Sequence, residues 1–244
     1  MTDIVTTTTA PMSLASRVVG MIFAPSETFR AVVEKPRAVG VLFLVCLAMG
    51  LGTGLPLLTE TGKRAALDTQ IEQIERFTGQ PVAPEQYAQM QQATAFGVYS
   101  SIIGMFIFIP VITVVFGALY WAFFNIVLGG SAGFGQVVTV NAHSQVITAL
   151  GIVLGAPVQL LQGSFSQTGP FNLGALAPTL NPTSSLALFL GALTFFGFWQ
   201  SVVCGIGLGV LYKRRPGGII IGLIGIYLAV TALFAVGVAS VMGR

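Results

Sequence analysis

Long apolar stretches alternate with short polar ones along most of this chain, and that pattern predicts five membrane-spanning helices. A helix rises about 1.5 Å per residue, so about 20 apolar residues cross a hydrocarbon core roughly 30 Å thick. From Gln86 to Tyr212 the sequence contains no Asp, Glu, Lys or Arg. We therefore predict an all-α membrane protein. Its spans are residues 39–58, 96–128, 136–161, 186–212 and 219–241, of which the last four form one membrane region, 96–241.

Polar segments surround the first predicted span. Residues 12–38 are predicted to form two short amphipathic helices, the first with Leu14 and Val18 on one face. Helices of this kind lie in the membrane interface. In residues 59–95, apolar positions recur at helical spacing among acids and amides, which predicts a polar helical loop. Residues 1–11 contain a threonine run and are predicted to be a disordered tail.

Composition agrees with a membrane protein and argues against a nucleic-acid-binding one. Of the 244 residues, 54% are hydrophobic and 8% are charged, whereas about 25% are charged in a typical soluble domain. The formal net charge is +3, and the basic residues lie beside the apolar spans. Membrane topology and anionic headgroups account for basic residues in such positions. We therefore expect a lipid bilayer around the chain and no nucleic-acid partner.

The distribution of basic residues predicts the orientation in the membrane. With five spans the two termini lie on opposite sides, and cytoplasmic segments carry an excess of Lys and Arg. A cytoplasmic N-terminus places seven basic residues inside and four outside, so we predict that the N-terminus is inside and the C-terminus outside. The seven are Arg17, Arg30, Lys35, Arg37, Lys213, Arg214 and Arg215, and the four are Lys63, Arg64, Arg76 and Arg244.

Three stretches carry a family resemblance: MIFAPSETFRAVVEKPR before the first span, GFGQVVTVNAHSQVITALGIVLGAP in the third, and FFGFWQSVVCGIGLGVLYKRRPGG before the last. Together with the five spans they resemble the Yip family, named for proteins that interact with Ypt/Rab GTPases. The resemblance covers about residues 15–240. It implies a five-helix membrane domain and, in eukaryotic members, a role in Golgi and ER trafficking through prenylated Rab GTPases.

Two departures from the eukaryotic pattern change what the resemblance implies. Eukaryotic members have a longer cytosolic N-terminal region, whereas about 38 residues precede the first span here. They also carry an Asp-Leu-x-Gly-Pro type motif, for which the nearest counterpart is IFAPSETF. The chain therefore resembles a bacterial member of the inner membrane, for which the family implies a fold rather than an activity. We do not expect it to bind Rab-type GTPases.

A group of polar residues within the predicted spans is the first candidate site. Polar side chains in hydrocarbon must find partners, so they are expected to point into the bundle. Two interpretations stay open, namely hydrogen bonds that join helices, and a site for a ligand, a lipid headgroup or a proton. We expect the partners of the α-helical amides of the third span to be Asn125 and Gln200. The candidate polar cluster is Asn125, Asn141, His143, Gln145 and Gln200.

Residues at the span ends and breaks form the remaining candidates. Pro110 and Pro157 lie inside spans and are either hinges or static kinks. Two glycine pairs at i, i+4 spacing predict close helix packing: Gly205 with Gly209, and Gly218 with Gly222. The candidate contacts for anionic lipid, which also fix topology, are Arg37, Lys213, Arg214 and Arg215.

The chemistry of the chain predicts a non-catalytic protein. His143 is the only histidine, and Cys46 and Cys204 lack metal-ligand spacing, so we expect no metal, no cofactor and no enzymatic activity. Our first hypothesis is a membrane scaffold or accessory protein that contacts other membrane proteins or itself through segments 12–36 and 60–94. The alternative is passive translocation of a lipid or small solute along the polar cluster. A water-accessible cavity at the depth of the cluster would favour the alternative.

Overall fold

The computed structural model describes residues 12–94, 96–163, 169–181 and 183–242. In these ranges the secondary structure is helical, apart from turns and one isolated antiparallel bridge between Asn172 and Thr194. The predicted all-α class is confirmed for the described residues, whereas the tail predicted at residues 1–11 lies outside them. Within the same ranges, four helices are long and apolar enough to cross a membrane.

Two short helices, α1 (Leu14–Phe23) and α2 (Pro25–Glu34), precede the first span. Met21 and Phe29, from their apolar faces, are fully buried. Gly207 makes room for the Phe29 ring, because a Cβ atom at this glycine would stand 2.8 Å from it. The amphipathic pattern is confirmed, but much of the face that we expected to rest on lipid is covered by other helices of the same chain.

The first span is α3 (Val39–Gly54), which continues in a 3₁₀ turn at Leu55–Leu58. Together they form an apolar stretch of 20 residues with the predicted bounds. Val41, Val45 and Cys46 on α3 are almost completely buried. α3 packs mainly against two later spans, so it lies near the centre of the bundle.

The polar loop after the first span is helical, as predicted. It contains α4 (Glu60–Thr78) and α5 (Pro84–Thr94). Thr59 caps the start of α4, where a side-chain oxygen satisfies backbone N–H groups that have no partner within the helix. Lys63 lies 2.8 Å from Glu60, and this hydrogen bond lowers the pKa of the Glu60 carboxyl. No residue of α5 is buried.

The next two spans are the longest, and both continue through a proline. α6 (Gly97–Ala122) contains Pro110 and passes into a π-helical turn at Phe123–Val127, giving an apolar stretch of 31 residues. α7 (Phe134–Gln162) contains Pro157. Each helix is continuous at its proline, so hinge motion there stays a prediction. The irregular winding lies instead at the π-helical end of α6, a feature that often marks functional sites.

The span predicted at 186–212 is wrong as a single helix. The chain forms α8 (Ser185–Ala192) and α9 (Phe195–Leu211), with Leu193 and Thr194 extended between them. The Thr194 side chain caps the first turn of α9. A threonine that bonds the backbone in this way favours a new helix start over a continuous helix. Hydropathy alone does not show such a break, because every residue around it is apolar.

The last helix is α10 (Pro216–Met242). α3, α7 and α9 make the densest contacts with their neighbours, whereas most of the surface of α6 and α10 is exposed. α9 has 17 residues and is about 26 Å long, slightly less than a typical hydrocarbon core. That α9 provides a fifth crossing, beside the four long spans, stays a prediction.

The two ends of the bundle differ in charge. Gln136 Nε2 at the start of α7 donates to Val33 O in α2 at 3.2 Å, and Arg214 Nη2 donates to Leu128 O after α6 at 3.0 Å. These bonds place α1, α2 and the basic segment before α10 at one end, where Arg37 is exposed. The acidic helix α4 follows the opposite end of α3. Assignment of the basic end to the cytosol stays a prediction from charge.

Candidate functional site

Thr113 on α6 is fully buried and joins two amide side chains of α7 to its own helix. Its Oγ1 donates to Ile109 O at 2.6 Å. Gln145 Nε2 donates to Thr113 Oγ1 at 2.7 Å, and Asn141 Nδ2 donates to Thr113 O at 3.0 Å. The predicted amides therefore do point into the bundle, and they bind α6 to α7.

Sequence reasoning missed Thr113 and expected different partners, Asn125 and Gln200. A threonine in an apolar helix commonly bonds the carbonyl four residues earlier. Thr113 makes that bond too, so its sequence position gives no sign of the second role. Gln200 on α9 instead accepts a hydrogen bond from Thr148 of α7.

The hydrogen-bond pattern determines which way the Gln145 amide faces. Because the Thr113 hydroxyl hydrogen is used on Ile109 O, Thr113 Oγ1 acts as an acceptor toward Gln145, which therefore presents Nε2 to it. Gln145 Oε1 then faces away and is buried without a hydrogen-bond partner among the described residues. Leaving such a group unsatisfied costs about 1–3 kcal/mol. Gln145 Oε1 is thus a buried acceptor without a partner, beside the pocket that Gln145 lines.

These amides form one wall of a pocket of about 340 Å³ between α6, α7, α9 and α10. Its polar atoms come from the α7 and α9 side, and the α6 and α10 side is mostly apolar. This volume lies within the range of small-molecule pockets, roughly 300–1,000 Å³. The polar wall consists of Asn141, Gln145, Thr148, Gln200 and Ser201, and the facing wall includes Phe116, Tyr120, Leu223, Ile226 and Tyr227.

A second cavity of about 630 Å³ lies between α6 and α10 at the basic end of the bundle. It shares Phe116, Tyr120, Leu223 and Ile226 with the pocket, so the two volumes adjoin. We call this second cavity the α6–α10 groove. Its walls are apolar except at its end, where Arg214 and Arg215 line it.

The two predicted glycine pairs behave differently. Gly205 and Gly209 on α9 contact the start of α10 closely, because a Cβ at Gly205 would stand 2.6 Å from the Ile220 side chain. Close packing is confirmed for this pair. A Cβ at Gly218 or Gly222 would meet no described atom within 4 Å, so the second pair has no close packing within this chain, and its packing against another chain stays a prediction. Both of these glycines line the α6–α10 groove.

His143 and Asn125 lie apart from the pocket wall. His143 is fully buried, and its Nδ1 donates to Thr139 O at 2.8 Å, because a carbonyl can only accept. Its Nε2 is therefore an acceptor, and no partner for it exists among the described residues. Asn125 Nδ2 donates to Ala132 O at 2.7 Å and holds the loop between α6 and α7. The five predicted polar residues thus lie in three places: Asn141, Gln145 and Gln200 at the pocket, His143 elsewhere in the core, and Asn125 at the loop before α7.

Three of the four predicted basic contacts directly precede α10, whereas Arg37 precedes α3. Lys213, Arg214 and Arg215 are all exposed, and Lys213 adopts a left-handed backbone conformation with φ of 52°. Within the described ranges, no group of three His, Cys, Asp or Glu side chains could hold a metal ion. The pocket is lined instead by amides, hydroxyls and apolar side chains, which can hydrogen-bond and enclose a ligand.

Comparison with known protein families supports the resemblance seen in the sequence. The family model of the Yip1 domain matches residues 19–239. Neither curated proteins nor solved structures gave a match. The matched region includes every helix that forms the pocket and the groove, and the apolar helices are those of a multi-pass integral membrane protein. The chain therefore belongs to the Yip1-domain family.

Proposed function

We propose that this protein is a non-catalytic accessory protein of the membrane that binds an amphiphilic membrane molecule in the pocket between α6, α7, α9 and α10. The observation that carries the proposal is a mostly apolar pocket with one wall of amides and hydroxyls, beside which Gln145 Oε1 is buried without a hydrogen-bond partner among the described residues. The polar part of the bound molecule would bond to this wall, and its apolar part would lie against α6 and α10. Few precisely placed polar groups in an apolar pocket are typical of ligand sites.

The pocket lining supports binding rather than chemistry. Its residues include no histidine, carboxylate, lysine or arginine, and the titratable groups among them are the hydroxyls of Tyr120 and Tyr227 and the thiol of Cys204. Amide and hydroxyl groups orient a ligand through hydrogen bonds without transferring protons to it. The proposal further includes a bacterial inner membrane, a cytosolic basic end and no role for Rab-type GTPases.

The contacts at the far end of the pocket support binding over passage of a solute. Tyr227, which lines the pocket on α10, donates its hydroxyl hydrogen to Ala192 O at 2.8 Å and accepts from Thr194 N at 3.0 Å. These bonds tie α10 to the junction of α8 and α9. The groove at the opposite side adjoins the pocket, so a molecule from the bilayer has a lateral approach there.

Cysteine accessibility tests the proposal. Cys46 and Cys204 are replaced by alanine, and Ser201→Cys is treated with a membrane-soluble maleimide in detergent, after bound lipid has been removed. The matched control is Ser144→Cys, which is fully buried and outside the pocket lining. We expect Ser201→Cys to react at least ten times faster than Ser144→Cys. Equal protection of both positions would mean a closed bundle and would overturn the proposal.

A second candidate, the scaffold function, is favoured by the polar helices α4 and α5. α5 buries none of its residues, and Phe77 at the end of α4 keeps 59% of its surface exposed. An exposed aromatic residue beside an unpartnered helix is typical of an interaction surface. Segment 12–36 also keeps an exposed aromatic residue, Phe23, which is 80% exposed at the end of α1, so both predicted contact segments stay in this hypothesis.

Photocrosslinking tests the scaffold function. We expect benzoylphenylalanine at Phe77 or Tyr87 to give a discrete crosslinked product in native membranes. The control is benzoylphenylalanine at Leu233, which is 74% exposed on the apolar surface of α10 that is expected to face lipid. The same products at all three positions, or none at Phe77 and Tyr87, would count against a partner on α4 and α5.

A further inference from the structure

We propose that the α6–α10 groove holds an anionic phospholipid, with its phosphate at Arg214 and Arg215 and an acyl chain between the two helices. This inference rests on the proposed function and names the class of molecule that enters from the bilayer. The groove of about 630 Å³ is nearly twice as large as the adjoining pocket and has apolar walls. An acyl chain is the apolar group that the bilayer supplies at this position.

The two arginines give the exposed end of the groove a positive charge that favours an anion. Both ion pairs found in the described part of the chain, Glu60 with Lys63 and Glu72 with Arg76, lie on α4. Arg214 and Arg215 therefore have no carboxylate partner there. A guanidinium stays charged and matches the oxygen atoms of a phosphate with paired N–H groups. Charge complementarity thus favours an anionic headgroup over a zwitterionic one.

The start of α10 adds hydrogen-bond donors beside the arginines. The first backbone N–H groups of a helix have no acceptor within the helix, and the helix dipole favours a negative charge there. α10 starts at Pro216, and Gly218 in its first turn lines the groove. Because Gly218 and Gly222 have no side chains and no described atom within 4 Å of a Cβ built on them, a lipid can approach the α10 backbone.

Arg214 is held in place by the fold. Its Nη2 donates to Leu128 O at 3.0 Å, at the end of the π-helical turn of α6. Phe124, in that turn, lines the groove and stacks on Tyr212 with ring centroids 4.6 Å apart. The irregular end of α6 and the start of α10 thus form the two sides of the groove end. Arg215 makes no hydrogen bond to the described residues, so it is available to the headgroup.

Native mass spectrometry of the purified full chain tests the inference. The probes are phosphatidylglycerol and phosphatidylcholine with matched acyl chains, titrated separately into detergent micelles. We expect phosphatidylglycerol to bind at least ten times more tightly. Replacing Arg215 with Gln should weaken phosphatidylglycerol about 5-fold, and the double change with Arg214→Gln about 30-fold. Equal binding of the two lipids to the unchanged protein would overturn the inference.

Steric variants separate the groove from the general lipid surface. Gly222→Phe fills the groove and should reduce binding of phosphatidylglycerol about 10-fold. The matched control is Gly225→Phe on the same helix, which also has no close neighbour but does not line the groove. Arg30→Gln is the charge control at the same end of the bundle. Loss of binding in the controls equal to that in the groove variants would overturn the proposal.

Two further comparisons identify the source of the anion and show whether a negative result refutes the proposed function or only this inference. Soluble glycerol 3-phosphate should not displace the bound lipid, because the acyl chain supplies much of the contact; displacement by it would overturn the lipid assignment. If Ser201→Cys reacts but phosphatidylglycerol shows no preference, the proposed function holds and this inference fails. If Ser201→Cys is protected as well, both fail.

Discussion

At the scale of single residues, the account depends on the contact of Thr113 with Gln145. Asn141, Gln145 and Thr148 lie at positions i, i+4 and i+7 of α7, which share one helix face, and all three line the pocket. The partner on α6 was not predictable, because threonine in an apolar helix gives the same pattern whether or not it bonds a neighbouring helix. The division of the polar cluster into three places likewise depends on helix rotation, which periodicity does not specify for helices that are apolar all round.

Replacing Thr113 with valine should destabilise the protein by about 1–2 kcal/mol. The change keeps the shape of the side chain but removes the acceptor for Gln145 Nε2, which is then left buried without its partner. The measurement is the free energy of unfolding in mixed micelles.

The matched control is Thr231→Val on α10. The Thr231 hydroxyl bonds only carbonyls of its own helix, Tyr227 O and Leu228 O. We expect a change below about 0.5 kcal/mol there, since such bonds add little to helix stability. Equal losses at both threonines would contradict a specific contact between α6 and α7.

At the scale of helices, apolar runs predicted the long elements well and the breaks poorly. The first span has the predicted bounds, 39–58, because a charge-free run between polar segments has clear limits. The break at Leu193 and Thr194 depends on a side-chain cap and on the hydrogen bond that Thr194 N donates to Tyr227 Oη, neither of which hydropathy detects. The packing of α2 against the bundle depends on Gly207, which leaves room for the Phe29 ring. The chain contains 30 glycines, and the sequence does not indicate which of them makes such a contact.

Replacing Gly207 with alanine should destabilise the protein by about 1–3 kcal/mol. The added methyl would stand 2.6 Å from Val140 and 2.8 Å from the Phe29 ring, so α2 would have to move away from α7 and α9. The measurement is the thermal midpoint of unfolding together with hydrogen exchange of residues 25–34.

Gly225→Ala on α10 is the control for this change, because no atom lies within 4 Å of the added methyl. Alanine is also the better helix former, so the control should be neutral or slightly stabilising. If hydrogen exchange of residues 25–34 is unchanged in Gly207→Ala, α2 does not pack against the bundle through Gly207.

At the scale of the whole molecule, the protein is a bundle with one basic end, one acidic end and two outer helices that do not close against each other. The outer helices α6 and α10 leave the α6–α10 groove open between them, and the groove leads to a pocket with one polar wall. Composition predicted the membrane class and the separation of charge. It could not predict the pocket, because a cavity arises where three-dimensional packing fails to fill space, and no residue pattern encodes that directly.

The central claim is that a molecule from the bilayer occupies the pocket beside Gln145. The most direct measurement is an experimental density map of the full chain in nanodiscs formed from native membranes. We expect elongated non-protein density between α6 and α10, with a polar atom within about 3.2 Å of Gln145 Oε1. A pocket filled by the protein's own side chains, with Gln145 Oε1 bonded to one of them, would contradict the account.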